Sequence, residues 1–425
     1  MTAPAPDTTL SSASVQHARP DVWVARLLVV CIFLPAHLQV FVAIGTCAWF
    51  VFRTVQLRIW PVKAQLSEAA LLGSGYLLYL IGAFLSPPQY RHYAFQLVER
   101  MASLLAMPVV FAFTAQQFRL LIVNQFRFFV YGCLLVAAYG HLWFVWRYVL
   151  HSQPQTELSH VLFRNSFEDA TGIHPTYMGV YLVFALCITA ITWQPVGRKV
   201  WVRYAMLATL LVFTLSLFAK SPLMALGAIT VGFVWQQRRQ LSTYKVPAAI
   251  LAGVGVAATL FIPFIRQRAA EMLGLFHQSP SDNLIQNSVH MRRLIWNTDV
   301  TLLKHYWLMG MGPGRVLQAL HQHYFFHSLY RGYPVGYYDP HSQYFAFWLA
   351  FGVVGILVFV LMLLAQVRNV INQRHTLYGC LLLVLIITFF TETMLARQQG
   401  VLFYAIFTSL LYFTGGKYLP SQEQQ

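Results

Sequence analysis

Apolar runs alternate with short polar connections along most of the chain. Because a helix needs about 20 apolar residues to cross the hydrocarbon of a bilayer, each run predicts a membrane-spanning helix. The first two runs are separated only by Pro35-Ala36-His37 and could instead form one kinked helix. The pattern predicts about twelve spans and an all-α polytopic membrane protein, with spans at 22–37, 38–53, 69–87, 94–115, 127–150, 175–193, 203–219, 221–236, 246–263, 344–366, 376–392 and 398–414.

Composition supports a membrane protein. The chain is 58% hydrophobic and 10% charged, whereas soluble proteins carry about 25% charged residues. Residues 1–21 are rich in Ala, Pro, Ser and Thr, which predicts disorder. They have no apolar core of the kind that signal peptides contain. All five cysteines lie in apolar runs, so we expect neither disulfides nor a cysteine metal site.

Lysine and arginine are concentrated in every second connection, which predicts the orientation in the membrane. Connections that carry this positive charge face the cytoplasm, and so would the N-terminus and the tail, 415–425. Spans one to nine then cover 22–263, spans ten to twelve cover 344–414, and a large outer loop covers 264–343. The net charge of +16 is scattered between apolar runs rather than gathered in one patch. The expected partner is therefore the lipid bilayer and not nucleic acid.

A titratable histidine stands where the large loop meets the tenth span. The polar stretch Asp339-Pro340-His341-Ser342-Gln343 leads directly into that span. Proline is common at the first position of a helix, so Pro340 predicts a helix start with His341 in the first turn. The helix dipole disfavours an imidazolium there. His341 could then be a general base, or an interfacial histidine bound to water or backbone.

Cations occur at several positions on the same expected side. Lys220 lies in a short connection, where it could bind a phosphate as a point charge or snorkel to the interface. Residues 288–314 predict an amphipathic helix that begins near Arg292-Arg293 and ends in GMGPG. Two adjacent guanidinium groups could hold two phosphoryl groups, or the helix could rest on the membrane surface. Arg266 is a weaker candidate of the same kind.

Two further stretches carry candidate ligands. RNSFEDATGIHPTYMG (164–179) could place Arg164, His174 and Tyr177 in one cavity, or form an ordinary loop. HQHYFFH (321–327) could place two imidazoles on one face of a strand. However, no confirmed fourth ligand and no HExxH motif accompany it, so a zinc site is not expected.

Motifs in this order resemble the signature region of the O-antigen ligase family, which O-antigen polymerases share. The resemblance covers roughly residues 205–410. The family usually has arginine where this chain has Lys220, and lysine keeps the charge but loses the bidentate fork. The matching pieces are AKSPLMALGA (219–228), RRLIW (292–296), GMGPG (310–314), HSQYFAFWLAFGVVG (341–355) and ETMLARQQGVLFYAIFTSLL (392–411).

The resemblance implies a GT-C-like glycosyltransferase of the bacterial inner membrane with its active site facing the periplasm. Such enzymes transfer a glycan from undecaprenyl diphosphate to a sugar hydroxyl of lipid A–core. The resemblance implies that His341 is the base, that Arg292 stabilises the leaving diphosphate, and that Lys220 helps to stabilise this group. The spacing to Trp296 favours Arg292 over Arg293 as the family's arginine. The residues expected to bind substrate are Arg293, Arg266, Arg164, His174, Tyr177, Trp296 and Gln343.

The outer loops contain no Asp-x-Asp motif, so we expect no divalent metal and no other cofactor. Two other functions remain open at this point. An O-antigen polymerase would use a second lipid-linked glycan as its acceptor. A transporter or flippase of lipid-linked glycans would typically show internal repeats and charges near the membrane midplane, and no clear repeat is seen.

Overall fold

A computed structural model describes residues 19–58, 63–151, 160–193, 200–236, 288–331 and 338–415, and the regular elements in these ranges are helical. The first part contains α1 (Arg19–Val30), α2 (Ala36–Gln56), α3 (Lys63–Leu72), α4 (Ser74–Leu85), α5 (Pro88–Met101), α6 (Ser103–Phe113), α7 (Gln116–Asn124), α8 (Phe126–Phe144), α9 (His160–Thr171), α10 (Pro175–Thr192), α11 (Val200–Ser216) and α12 (Lys220–Gln236). The second part contains α13 (Ser288–Tyr306), α14 (Val316–Arg331), α15 (Gln343–Gln373), α16 (Thr376–Thr391) and α17 (Gln398–Thr414).

The number of membrane spans differs from the prediction. Among the described residues, five helices are long and apolar enough to cross a membrane: Ala36–Gln56, Pro88–Phe113, Gln116–Leu150, Pro175–Thr192 and Gln343–Gln373. A sixth is added if Gln65–Leu72 and Ser74–Leu85, which are bent by 54°, count as one span. The multi-pass membrane character is confirmed, and the total of twelve is not. The predicted span 246–263 lies outside the described residues.

The first predicted pair of spans forms two separate helices. The helix α1 continues into a short 3-10 turn, Cys31–Phe33, and α2 begins after Pro35. Proline has no N–H to continue a helix, so a break at this position follows from the sequence. At 12 residues, α1 is too short to cross the hydrocarbon by itself.

Two helices form the centre of the bundle. Residues 176–189 of α10 and 400–414 of α17 are buried on all sides. Helices that are apolar all round belong in the core of a helical assembly. Their aromatic side chains pack against each other, with the rings of Tyr181 and Phe403 4.5 Å apart. The site described below lies at the N-terminal ends of α10 and α17, so this core fixes its position.

The helix α15 is broken at Gly352, and this break reshapes the predicted span 344–366. Gly352 has φ 61° and ψ −147°, which is not helical. The segment before it folds back on the segment after it, because the rings of Phe347 and Phe359 stack with centroids 4.6 Å apart. In a straight helix, residues 12 apart would be separated by about 18 Å. The stretch 343–351 is therefore a short helix folded back on the chain, and the long apolar helix starts after Gly352.

The GMGPG turn fills the break. Met311 N–H donates to the Leu349 carbonyl at 2.8 Å, and Val353 N–H donates to the Leu308 carbonyl at 3.2 Å. Backbone groups freed by a broken helix inside a membrane must find partners, because lipid offers none. The turn supplies them, which explains why this glycine-rich stretch and the start of α15 belong to one structural unit.

Replacing Gly352 with alanine is expected to lower the thermal stability of the detergent-solubilised protein. A Cβ at this position would clash with the Leu308 carbonyl oxygen, and the positive φ disfavours any L side chain. Thermal unfolding followed by intrinsic fluorescence measures the effect. Gly232→Ala is the matched control, because a Cβ there meets nothing within 4 Å. Equal melting of the Gly352 variant and the parent protein would contradict the proposed packing.

Candidate functional site

A buried glutamate, Glu392, lies at the centre of the site. It directly follows α16 and is 6% exposed. The guanidinium of Arg292, from α13, contacts Glu392 Oε1 through Nη2 and donates from Nε to the Thr391 carbonyl at 3.3 Å. His341 Nδ1 lies 3.6 Å from the other carboxylate oxygen, Oε2. Glu392 thus joins the two residues to which the sequence assigns the transfer chemistry.

Glu392 is ionised near neutral pH. Burial raises the pKa of its carboxyl group, but the nearby His341 and the positive charge of Arg292 more than offset this and lower the pKa to about 2. A buried charge is stable only when it is paired and hydrogen-bonded. The carboxylate is therefore the counter-ion of Arg292 and also lies next to His341.

The backbone at His341 is strained. Its φ is 44°, a left-handed conformation that non-glycine residues rarely adopt and that tends to occur at functional sites. The helix begins at Gln343 with Ser342 as its N-cap, so the prediction that Pro340 occupies the first turn is wrong. Asp339 Oδ1 accepts a hydrogen bond from the His341 N–H at 2.9 Å. This contact helps to hold the strained residue.

Trp296 fixes the same histidine from α13. Its indole Nε1 donates to the His341 carbonyl at 3.5 Å. It lies one helical turn after Arg292, so one face of α13 contacts both Glu392 and His341. Trp296 therefore positions His341 through its backbone, and the predicted contact of the indole with substrate remains a prediction.

A second group of residues, on α9 and at the start of α10, completes the site. Arg164 donates from Nη1 to the Leu217 carbonyl at 2.9 Å and from Nη2 to Thr176 Oγ1 at 3.4 Å. Leu217 belongs to the turn that precedes Lys220, the first residue of α12. Arg164 thus holds the turn that carries Lys220 against the start of α10.

His174 connects this group with Glu392. Burial lowers the pKa of its imidazole to about 4; Glu392 opposes this, whereas Arg164, Arg397 and His341 lower the pKa further. Glu392, Arg164, Arg397 and His341 therefore all lie near His174. His174 is neutral near pH 7, and its Nδ1 accepts a hydrogen bond from the Thr176 N–H at 3.3 Å.

The remaining predicted substrate-binding residues differ in accessibility. Arg293 is exposed next to Arg292. Tyr177 is buried, with its ring centroid 5.4 Å from that of His174. Gln343 is fully buried, and its Oε1 accepts a hydrogen bond from the Leu395 N–H at 2.9 Å. Arg266 lies outside the described residues. Substrate contacts of these four residues stay predictions.

The HQHYFFH stretch belongs to the helix α14, so the strand geometry considered for it is wrong. On a helix, His321 and His323 project to different sides. Within the described ranges, no group of three or more His, Cys, Asp or Glu side chains could hold a metal ion.

Sequence reasoning missed the acidic residues of the site. Hydropathy shows Glu392 only as the end of an apolar span, and neither Glu168 nor Asp339 is predicted to belong to the site. A signal was present, because the chain has only 13 acidic residues and an ionisable residue next to a membrane span is often functional. The spacing of the motifs does not show which cation such a carboxylate faces.

A second buried carboxyl group, Asp299, lies on α13 near the site. It is completely buried, and neither of its oxygens has a hydrogen-bond partner among the described residues. Burial and the negative charge of Asp339 raise its pKa to about 9. Asp299 is therefore neutral near pH 7, within an apolar cluster that includes Ile295 and Leu303.

Asp299→Asn is expected to stabilise the protein at neutral pH. Because the pKa of Asp299 is about 9 in the folded protein and its ordinary value is 3.8, the unfolded chain releases this proton first. The contribution of Asp299 to stability is thus complete below about pH 4 and is lost as pH rises toward 9. The variant should melt at a higher temperature at pH 7, with a flatter dependence on pH. A lower melting temperature than that of the parent would contradict this ionisation state.

Comparison with known proteins supports a family assignment. The family model described as O-antigen ligase matches residues 176–360, which begin two residues after His174 and include Lys220, Arg292 and His341. No curated protein gives a significant match to the chain. Over residues 176–360, the chain is similar to the O-antigen ligase family.

Proposed function

We propose that the protein is an O-antigen ligase. It would transfer a glycan from undecaprenyl diphosphate to a sugar hydroxyl of lipid A–core on the periplasmic face of the bacterial inner membrane. The observation that supports this best is that Arg292 and His341, which both lie within the stretch that matches the family, contact the same carboxylate, Glu392. The concentration of lysine and arginine in alternate connections supports the orientation.

The transfer needs a base, and the geometry favours His341 Nε2. Nδ1 faces Glu392 and Asp339, at 3.6 and 3.8 Å, so the proton of the neutral ring belongs on that nitrogen. Nε2 then carries the lone pair that accepts the proton of the acceptor hydroxyl. As the proton leaves, the acceptor oxygen bonds to the anomeric carbon. Glu392 stabilises the imidazolium that forms.

The leaving group needs positive charge. As the bond between the anomeric carbon and the diphosphate oxygen breaks, the electron pair moves to the diphosphate. Arginine and lysine side chains fixed in a partly buried site stabilise such a developing charge. Arg292 and Lys220 would serve this purpose, with Arg293 exposed beside them. Direct attack by the acceptor would invert the anomeric configuration.

A strain that lacks the gene is expected to lose all long-chain lipopolysaccharide on a gel and to accumulate the polymer on its lipid carrier. A ligase attaches the finished polymer, so its loss leaves bare lipid A–core. A complementing copy of the gene should restore the ladder. Lipid A–core carrying a single repeat would instead indicate a polymerase, and an unchanged ladder would contradict both functions.

A further inference from the structure

Arg397 and Glu168 form an exposed ion pair at the mouth of the site. Arg397 Nη1 lies 3.9 Å from Glu168 Oε1, and the two side chains are 51% and 42% exposed. Arg397 follows Glu392 by five residues, and Glu168 lies on α9. An ion pair this long and this accessible contributes little to stability, since water and salt screen it. The pair can therefore open at low cost.

Two other arginines at the site are tied to the fold. Arg292 is bound to the buried Glu392 and to the Thr391 carbonyl. Arg292 can meet a ligand only while it stays bound to Glu392, because turning away would leave this carboxylate buried without a counter-ion. Arg164 is hydrogen-bonded to the Leu217 carbonyl and to Thr176. Neither guanidinium can turn fully toward an incoming phosphate without breaking these contacts.

Arg397 also lies within electrostatic reach of the catalytic cluster. The pKa of His174 is affected by Arg397, Glu392 and His341 together. Glu168 lies 4.0 Å from His174 Nε2 and so faces the same mouth. Arg397 therefore lies next to Glu168, which is itself beside His174.

Glu168, the partner of Arg397, can remain in place when Arg397 moves away from it. Burial raises the pKa of the Glu168 carboxyl group and Asp169 adds to this, although Arg397 and Arg164 oppose it. Because the Glu168 side chain is 42% exposed, water can solvate its carboxylate when Arg397 moves away.

We propose that Arg397 exchanges Glu168 for the diphosphate of the lipid-linked donor and so serves as a donor-binding residue. This inference rests on the proposed function. Glu168 holds Arg397 at the rim while the site is empty and competes with the donor for it. A guanidinium matches a phosphate with two parallel N–H···O bonds, which a lysine at the same place cannot make.

Two variants should change donor binding in opposite directions. Arg397→Ala is expected to raise the donor KM by about tenfold or more, as for loss of a charge-assisted hydrogen bond, with little change in kcat. Arg397→Lys should fall between alanine and the parent. Glu168→Gln removes the competing carboxylate and should lower the donor KM. A folding defect would not tighten donor binding, so this variant separates exchange from simple damage.

The binding step is measured without turnover in a second assay. Undecaprenyl diphosphate that carries no glycan is titrated into the full-length protein in detergent. Arg127→Ala is the matched control, because it removes an exposed cation at the start of α8, the helix end opposite to α9. We expect weaker binding only for Arg397→Ala and tighter binding for Glu168→Gln.

The outcomes separate the two proposals. Undecaprenyl diphosphate binding that is equal in Arg397→Ala and in the parent would overturn the role of Arg397, whatever the enzyme transfers. Weaker binding in Glu168→Gln would overturn the exchange with Glu168. If binding depends on Arg397 but no glycan reaches lipid A–core, the proposed function fails and the diphosphate site stands.

Discussion

His341→Ala is expected to abolish glycan transfer while the protein still folds and inserts into the membrane. The imidazole is partly exposed at the mouth, with Nδ1 3.6 Å from Glu392. Alanine removes the group that accepts the proton of the acceptor hydroxyl. Loss of a general base typically costs about 100-fold to 10,000-fold in rate. Initial rates of the purified variant, with both substrates saturating, measure the effect.

The control for this variant is His151→Ala. His151 is an exposed histidine at the end of the helical segment that follows α8, and its Nδ1 contacts the Trp146 carbonyl. The control removes an imidazole without touching the Glu392 cluster, so its activity should match that of the parent. Complementation of a deletion strain gives a second readout. A normal lipopolysaccharide ladder in cells that contain only His341→Ala would exclude His341 as the base.

Glu392→Gln is expected to reduce transfer by about 100-fold or more, because it disturbs two functional groups at once. The amide keeps the size of the side chain but removes the charge that orients His341 and stabilises its imidazolium. It also leaves Arg292 beside a neutral partner. Because the pKa of Glu392 is about 2 in the folded protein, below its ordinary value of 4.5, its stabilising effect is complete above about pH 4.5. This effect is lost as pH falls through about 2.

Two measurements separate these effects of Glu392→Gln. The variant should melt at a lower temperature than the parent at pH 7 because it lacks the ion pair, and kcat should fall more than the donor affinity. Glu99→Gln, at an exposed position near the end of α5, is the control and should change neither quantity. Full activity of Glu392→Gln would show that the carboxylate does not take part in the reaction.

Hydropathy predicted the helical membrane class, and motif order predicted that Arg292 and His341 lie close together, as their shared contact with Glu392 shows. Both follow from short-range rules, since span length is set by the bilayer and the motifs lie near the expected span ends. The glycine of the broken helix α15 was visible in the sequence. The fold-back at this glycine was not visible, because it depends on a distant turn that fills the break.

Glu392 illustrates what the sequence could not show. It lies 100 residues from its partner Arg292, and only the packing of α13 against the end of α16 brings the two together. The same is true of Arg164, which sequence reasoning placed in a substrate cavity. The structure shows its guanidinium hydrogen-bonded to the Leu217 carbonyl, 53 residues away, and its contact with substrate stays a prediction. Such long-range contacts depend on how the helices pack and not on the local pattern.

The central claim is that one cluster, with His341 and Arg292 joined by Glu392, transfers a lipid-linked glycan to lipid A–core. The most direct test is to incubate the purified protein in detergent and EDTA with the undecaprenyl diphosphate-linked glycan and lipid A–core. We predict that glycosylated lipid A–core and free undecaprenyl diphosphate form in equal amounts, and that His341→Ala forms neither. Elongation of the lipid-linked glycan alone, or transfer by the parent protein only after a divalent metal is restored, would contradict the account.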